Sequence, residues 1–369
     1  MVKILVCGLS EFFGGIESVV YNAYTKMSFI YQFDFLIQGE FCYHEDEYRK
    51  TGKIYRVCKR TKNPIQNYME TKEFLKMHPN YDYIWIHVSS CSDLTVPMLA
   101  KKYTRAKLVV HSHGSGKVEY EGIKGALKTA VGRLLHFLQK YPMNKLADVG
   151  IGCSQIALKN TFYSTFSNQH VILNGIDLEK FRYSSFYRKE VRKHYHIPDN
   201  ALVIGHSGRF AKVKNHKFIL EIFNEIIQRN PNTYLLLVGD GPERMNIVKY
   251  IHKNKLERQT ILVGQTNDVE KFLSAMDVLI FPSIFEAMPM AVIEAQAVGL
   301  QCFVSTNVTD EVCQTDLVHK ISLQQPESYW AQEILQSNCT TDRENAYTKI
   351  IGSACDIDSM VKSLVGIMQ

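Results

Sequence analysis

Two glutamates, Glu286 and Glu294, stand with seven residues between them in the stretch 281–295, FPSIFEAMPMAVIEA. The stretch follows an apolar run and opens a helical pattern. A helix start offers unpaired backbone N–H groups and the positive end of the helix dipole, so the amides of Met290 and Ala291 can hold a diphosphate. Glu294, about one turn further on, can accept hydrogen bonds from a ribose diol. Taken alone, the same pair also fits ordinary surface carboxylates around a helix cap.

Three further groups have chemical potential. Arg209 and Lys214 follow the run LVIGHS. They suit either a clamp on a diphosphate that gains negative charge as its bond breaks, or plain surface solvation. His111 and His113 sit at and just beyond the end of KLVVH, with His87 near the end of YIWIHV. Each fits a satisfied polar residue at a strand end or a group that polarises a hydroxyl. Gly14 and Gly15 follow VKILVC and would let the backbone approach a phosphate or an acceptor, although no G-x-G-x-x-G is present.

The elements that must position these residues are short apolar runs alternating with helical patterns. VKILVC (2–7), FDFLI (33–37), YIWIHV (83–88), KLVVH (107–111) and VGIGC (149–153) read as strands of a parallel sheet covered on both faces. After a polar, aromatic stretch at 181–200 the pattern restarts with LVIGHS (202–207), TYLLLVG (233–239), TILV (260–263), DVLIF (277–281) and CFVS (302–305). Asn215 precedes an apolar-periodic run to Arg229, and Pro242 is expected early in a helix after Gly239-Asp240-Gly241. In such sheets ligands bind beyond the carboxyl ends of the strands, where all the residues above lie.

Bulk properties agree with two folded domains. The 369 residues exceed one ordinary domain, and 46% hydrophobic with 22% charged residues excludes a disordered chain. No internal repeat, signal peptide or membrane-length apolar run is seen, so a cytoplasmic protein is expected. Nine cysteines, at 7, 42, 58, 91, 153, 302, 313, 339 and 355, form no C-x-x-C pair and read mostly as small buried hydrophobes. Residues 1–180 carry a formal charge of +7 and residues 181–369 a charge of −1, so the first half is expected to meet the anionic partner. A net +6 over the whole chain, without a recognition motif, argues against nucleic-acid binding.

Glu286 and Glu294 within PSIFEAMPMAVIEAQAVGL resemble the paired-glutamate motif of the GT4 family of retaining glycosyltransferases. Other matches follow in the family's order. Gly14-Gly15-Ile16-Glu17 is similar to its N-terminal glycine loop, Asn174-Gly175-Ile176-Asp177 to its interdomain turn, and Gly208-Arg209 through Lys214 to its diphosphate-binding Arg and Lys. Gly239-Asp240-Gly241-Pro242-Glu243 is another match. GGIESVV, QFDFLI, the NPI near residue 64 and EAQ resemble the capsular and exopolysaccharide branch.

The resemblance implies an α/β GT-B fold, two Rossmann-like domains whose parallel sheets face a central cleft. Residues 1–180 would bind the acceptor and 181–355 the nucleotide-sugar donor, and a helix in 356–369 would pack back on the first domain. His113 would be the active-site histidine and Glu286 would contact the transferred sugar. Arg209, Lys214, Gly15, Met290 and Ala291 would hold the diphosphate, and Glu294 the ribose. Configuration would be retained, by front-face attack in which the departing phosphate oxygen takes the acceptor's proton, with double displacement through Glu286 as the less favoured route.

No metal or other cofactor is expected, since two basic residues can replace the cation; the Asp356-Ile357-Asp358 pair reads as a helix start. The sequence departs from the family at Ala287-Met288-Pro289, where glycines and an aromatic residue are usual and where Pro289 removes a backbone donor. The donor pocket is therefore expected to be shaped differently.

Gly122–Lys145 places Lys124, Lys128, Arg133, Lys140 and Lys145 among Leu127, Val131, Leu134, Leu135, Phe137 and Leu138. This pattern fits either a core-packed helix with a solvated basic face or a helix lying on an anionic membrane. The expected function is transfer of a sugar, from UDP in the default case, to a lipid-linked oligosaccharide or glycan acceptor in bacterial capsule, exopolysaccharide or O-antigen synthesis. The protein would be cytoplasmic, either free or peripheral on the inner face of the plasma membrane. Two rivals are a nucleotide-sugar epimerase or hydrolase of the same fold and a non-catalytic sugar-nucleotide-binding subunit.

Overall fold

The protein is described by a computed structural model over residues 1–11, 14–114, 122–337 and 342–369, with side chains left out for 122–126 and 128. Cys339 and the side chains of Lys124 and Lys128 therefore lie outside the described residues. The chain forms two compact units, Met1–Gly175 with Ile357–Gln369 and Ile176–Asp356. The first crossing falls inside the Asn174–Asp177 turn and not at residue 180.

In the first unit the strands are β1 (Val2–Cys7), β2 (Tyr31–Gln38), β3 (Ile54–Val57), β4 (Tyr83–Val88), β5 (Lys107–Ser112), β6 (Val149–Gly152) and β7 (Gln169–Val171). All pair in parallel in the order β3-β2-β1-β4-β5-β6-β7. The second unit holds β8 (Leu202–Ser207), β9 (Thr233–Val238), β10 (Thr260–Gly264), β11 (Val278–Phe281), β12 (Gln301–Ser305) and β13 (Val318–Ile321). These run in the parallel order β10-β9-β8-β11-β12-β13. Helices on both faces leave the central strands no solvated side, which is why Ile4-Leu5-Val6 and Ile84-Trp85-Ile86 are apolar without alternation and fully buried. Chain order reverses between β1 and β4 and between β8 and β11, so each sheet has one crevice outside its strand ends.

The helices follow local signals. His216–Arg229 buries Ile219, Leu220, Ile222, Phe223 and Ile226 on one stripe, after Asn215 turns the chain in the left-handed region at φ 58°. The helix after Gly239-Asp240-Gly241 begins at Arg244, so Pro242 lies in the preceding turn and not in the helix. The reason is that the glycine loop is tied elsewhere: Phe210 N–H donates to Asp240 O (2.9 Å) and Glu243 N–H to Phe210 O (2.9 Å).

The polar stretch at 181–200 is structured. Ser184 caps helix Ser185–His194 by accepting from Tyr187 N at 3.2 Å. Arg192, 1% exposed, gives one nitrogen to Asp277 (2.7 Å) and another to the carbonyls of Pro198, Asp199 and Ala201. Arg188 takes the other Asp277 oxygen at 2.7 Å.

Helix Ile357–Ile367 belongs to the first unit. Asp358 pairs with Lys26 at 2.9 Å, and the Tyr31 and Tyr83 hydroxyls donate to the carbonyls of Met368 (3.3 Å) and Gln369 (3.1 Å). Helix Gly122–Leu146 departs from the core-packed reading. Its Met143 is buried, but Leu127, Val131, Leu134, Phe137, Leu138 and Tyr141 are all exposed. Of the described cysteines, all are free thiols, and Cys313 alone is exposed.

Candidate functional site

In the second unit the crevice between β8 and β11 is built by two loops that are joined to each other. The loop after β8 passes through Gly208 (φ +152°) and Arg209 to a short 3-10 turn, Lys212–Lys214. The loop after β11 leads to helix Met290–Ala297. Ile284 N–H donates to Val213 O at 2.8 Å and the Asn215 amide to Pro282 O at 3.2 Å, so neither loop is placed independently.

This brings Lys214 and Glu286 together: Lys214 Nζ lies 2.7 Å from Glu286 Oε1, with both side chains largely buried. The ammonium also sits 4.6 Å from the centre of the Phe281 ring, a further stabilising contact for a cation. A Cβ on Gly208 would lie 3.7 Å from that same Nζ. Arg209, earlier in the same loop, is exposed. Gly239 permits this arrangement, because at φ +132° a Cβ there would stand 2.1 Å from Gly208 O.

Pro289 is the N-cap of helix Met290–Ala297, so Met290 and Ala291 occupy its first two positions, where backbone N–H groups have no intrahelical acceptor. Glu294 is one turn in and half-buried. Burial pushes its carboxyl up to about 7, with Glu270 adding to the rise and Lys180 and Lys214 opposing it. Lys180 Nζ lies 3.6 Å from the buried Glu270.

Sequence reasoning missed Lys180 and Glu270, since neither sits in a motif. It also missed His206 and His216, whose rings lie 4.9 Å apart at the base of the crevice. His206 donates to or accepts nothing through Nε2 among the described residues, and its Nδ1 faces Ile280 O at 2.9 Å.

In the first unit the crevice lies between β1 and β4. Gly14 is the extended N-cap of helix Gly15–Met27, and Glu17 in its first turn accepts from the amide and hydroxyl of Ser10, each at 2.8 Å. A Cβ on Gly15 would meet no protein atom within 4 Å, so packing does not demand glycine there. His87 and His111 are register partners on β4 and β5, and His113 follows on the same face. His87 Nδ1 lies 2.9 Å from His113 Nε2. Burial lowers all three imidazoles, His113 to about 3, so they are neutral. Gly15 and His113 thus stand in the first unit, and Arg209, Lys214, Glu286, Met290, Ala291 and Glu294 in the second.

Comparison with known proteins accords with this arrangement. Residues 187–314 match the family model described as glycosyl transferases group 1. A putative glycosyltransferase, EpsF of Bacillus subtilis, is 28% identical over 88% of this chain and 84% of its own. The UDP-Gal:alpha-D-GlcNAc-diphosphoundecaprenol alpha-1,3-galactosyltransferase of Escherichia coli is 31% identical over 63% of this chain and 59% of its own. Among solved structures, Anabaena HepE in complex with UDP and glucose superposes with a TM-score of 0.80 at 17% identity, covering 100% of this chain and 99% of that one. The fold is that of the GT-B glycosyltransferases. Two doubly wound parallel sheets, a paired-glutamate loop opening a helix at the switch point of the second, a segment at 187–314 that matches the group 1 glycosyl transferases, and these relatives identify the chain as a glycosyltransferase enzyme.

Proposed function

We propose that this enzyme retains anomeric configuration while moving a sugar from a UDP-sugar to a lipid-linked oligosaccharide in bacterial surface polysaccharide synthesis. The observation that carries the reading is the Lys214–Glu286 pair at 2.7 Å beside the start of helix Met290–Ala297. One carboxylate for sugar hydroxyls is thereby held against one ammonium for the leaving diphosphate. Arg209 and the amides of Met290 and Ala291 add positive potential on the same side, and Glu294 takes the ribose diol. As the bond from the anomeric carbon to the diphosphate oxygen breaks, negative charge grows on that oxygen, and these groups stabilise it without a metal. The acceptor oxygen attacks from the same face and its proton passes to the departing phosphate oxygen. His113, a neutral imidazole partly open at the strand ends of the first unit, orients an acceptor hydroxyl there.

The donor and acceptor classes are supported by the relatives: HepE was solved with UDP and glucose, and the E. coli relative is named for UDP-Gal and a diphosphoundecaprenol acceptor. No helix among the described residues is long and apolar enough to cross a membrane. Contact with the acceptor's bilayer is assigned to helix Gly122–Leu146, where Leu127, Val131, Leu134, Leu138 and Tyr141 recur at alternating spacings of four and three along an exposed stripe. Exposed Arg133 and Lys145 suit an anionic headgroup layer.

The test is incubation of the purified protein with UDP- and GDP-sugars and a membrane lipid extract, following free nucleotide and lipid product by mass spectrometry. Sugar-bearing lipid plus UDP, lost in Glu286→Gln and Lys214→Ala, supports the proposal. Donor cleavage without acceptor, or donor binding with no product from several extracts, sinks it in favour of a hydrolase or a binding subunit.

A further inference from the structure

Three imidazoles converge at the ends of β4 and β5, and their nitrogen chemistry is incomplete. His87, His111 and His113 each place a ring nitrogen so that the three lie within 4.8 Å of one another. His87 is 3% exposed and His111 is 0% exposed, whereas His113 is partly open. One hydrogen bond joins the group, between His87 Nδ1 and His113 Nε2 at 2.9 Å. His87 Nε2 and both nitrogens of His111 have no partner among the described residues.

An imidazole sealed from water with neither nitrogen bonded loses its hydration without return, at about 1–3 kcal/mol for each unsatisfied polar group. Among the described residues His111 is in that state and His87 is half in it, and packing does not explain the pair, because an apolar residue would fill the same space at less cost. The rings are close: His111 and His113 have centroids 4.1 Å apart and are tilted by 35°, and Trp85 stacks on His111 at 5.9 Å. The ring nitrogens are therefore gathered in one place, with no ion pair to them among the described residues.

We propose that His87, His111 and His113 form a binding site for a borderline divalent transition-metal ion of the zinc class. Three neutral nitrogen donors without a carboxylate favour Zn²⁺, Co²⁺, Ni²⁺ or Cu²⁺ over Mg²⁺ or Ca²⁺, which prefer oxygen. Three histidines fill three positions of a tetrahedron and leave the fourth to a water on the open side of His113. The nitrogens must draw together, since metal–nitrogen bonds are about 2.0–2.1 Å, which places adjacent donors roughly 3.3 Å apart. His87 and His113 stand 2.9 Å apart, but through a hydrogen bond, so the ion must replace the shared proton and the rings must turn until all three lone pairs converge. His113 cannot orient a hydroxyl through the nitrogen that holds the ion, so metal binding competes with the role proposed for it above; the inference stands if that function fails.

The test uses the full, untagged chain, stripped with chelator and titrated with Co²⁺ by absorption and with Zn²⁺ by calorimetry and thermal melting. The expected result is one equivalent per chain, a tetrahedral Co²⁺ spectrum displaced by Zn²⁺, and a melting temperature that rises with Zn²⁺. His113→Ala, the least buried of the three, should keep the native circular dichroism and bind at least about tenfold more weakly, and His87→Gln should behave alike. Mg²⁺ should give none of these signals. Binding that persists unchanged in a folded His113→Ala variant, an octahedral spectrum, or an adventitious ion only, held with variable stoichiometry at surface histidines or Cys313, would each overturn the site. So would the absence of binding to the wild type.

Discussion

Lys214 Nζ stands 2.7 Å from Glu286 Oε1, joining two residues 72 positions apart in the chain at one end of the second sheet. The ammonium that is to receive a diphosphate is thus already engaged by the carboxylate that is to receive the sugar. Donor binding must divide this pair's attraction. Glu286→Gln should therefore bind UDP several-fold more tightly than the wild type while turnover falls on the order of 100-fold or more. Lys214→Ala should lose both, with UDP affinity down about tenfold or more. Calorimetry with UDP beside steady-state rates separates the two, and equal weakening of UDP by both substitutions would refute the competition.

Glu294 has a carboxyl raised to about 7 from its ordinary 4.5, chiefly by burial. A group whose pKa is higher folded than unfolded contributes stability that is full below the unfolded value and lost as pH rises through the folded one. Glu294→Gln has no charge to bury, so its stability relative to the wild type should be about 2 kcal/mol more favourable at pH 8 than at pH 5. Urea unfolding at the two pH values measures this. Donor affinity should run the other way, strengthening between pH 6 and pH 8 as Glu294 ionises and accepts from the ribose. A pH-independent donor KM would remove Glu294 from the ribose site.

Asp277 receives Arg188 and Arg192, each at 2.7 Å, and the amide of Val203 at 2.8 Å. Asp277→Ala strands the buried Arg192 guanidinium and should cost about 3–5 kcal/mol in denaturant unfolding, whereas Lys217→Ala, in the exposed Lys217–Glu221 pair, should cost less than about 1 kcal/mol.

Gly239 allows the loop after β9 to pass the loop that carries Gly208. Gly239→Ala places a methyl 2.1 Å from Gly208 O, and its φ of +132° is disfavoured for alanine. UDP affinity should fall at least about tenfold as the Gly208–Lys214 loop is displaced, with a stability loss on the order of 1–3 kcal/mol. An unchanged UDP affinity would mean that this loop does not touch the donor.

The exposed stripe on helix Gly122–Leu146 makes a separate test. Phe137, 72% exposed, should on replacement by Ser lower binding to anionic liposomes on the order of tenfold, and Arg133→Glu should weaken it in a salt-dependent way. Flotation with neutral and anionic vesicles reads both. If Phe137→Ser leaves binding intact, the stripe serves another purpose.

The central strands were legible without the structure because they are buried on both faces and so cannot carry polar residues; all ten apolar runs read from the sequence are strands. The strands β3, β7 and β13 were not, since they lie at or close the sheet edges, where IYRV, QHV and VHKI need bury little and carry no apolar signature. The polar stretch at 181–200 hid a buried ion pair, because Arg192 is recognisable as interior only once Asp277 stands opposite it. Helix Gly122–Leu146 kept two readings for the same reason: periodicity tells that one stripe is apolar, but whether other parts of the chain cover it depends on packing, which leaves Leu127, Val131, Leu134, Phe137, Leu138 and Tyr141 exposed.

For the site, the sequence by itself determined the residue types and their order: a glycine before a helix, an arginine and a lysine after one strand, two glutamates eight apart after another. These follow from local rules, since strand ends, turns and helix starts are set by neighbouring residues. Tertiary structure decided which of them meet. Lys214 reaches Glu286 because β8 and β11 are neighbours at a reversal of strand order, and His87 reaches His113 because β4 and β5 pair in register. Strand order and register are set by contacts among residues distant in the chain, and no local pattern encodes them.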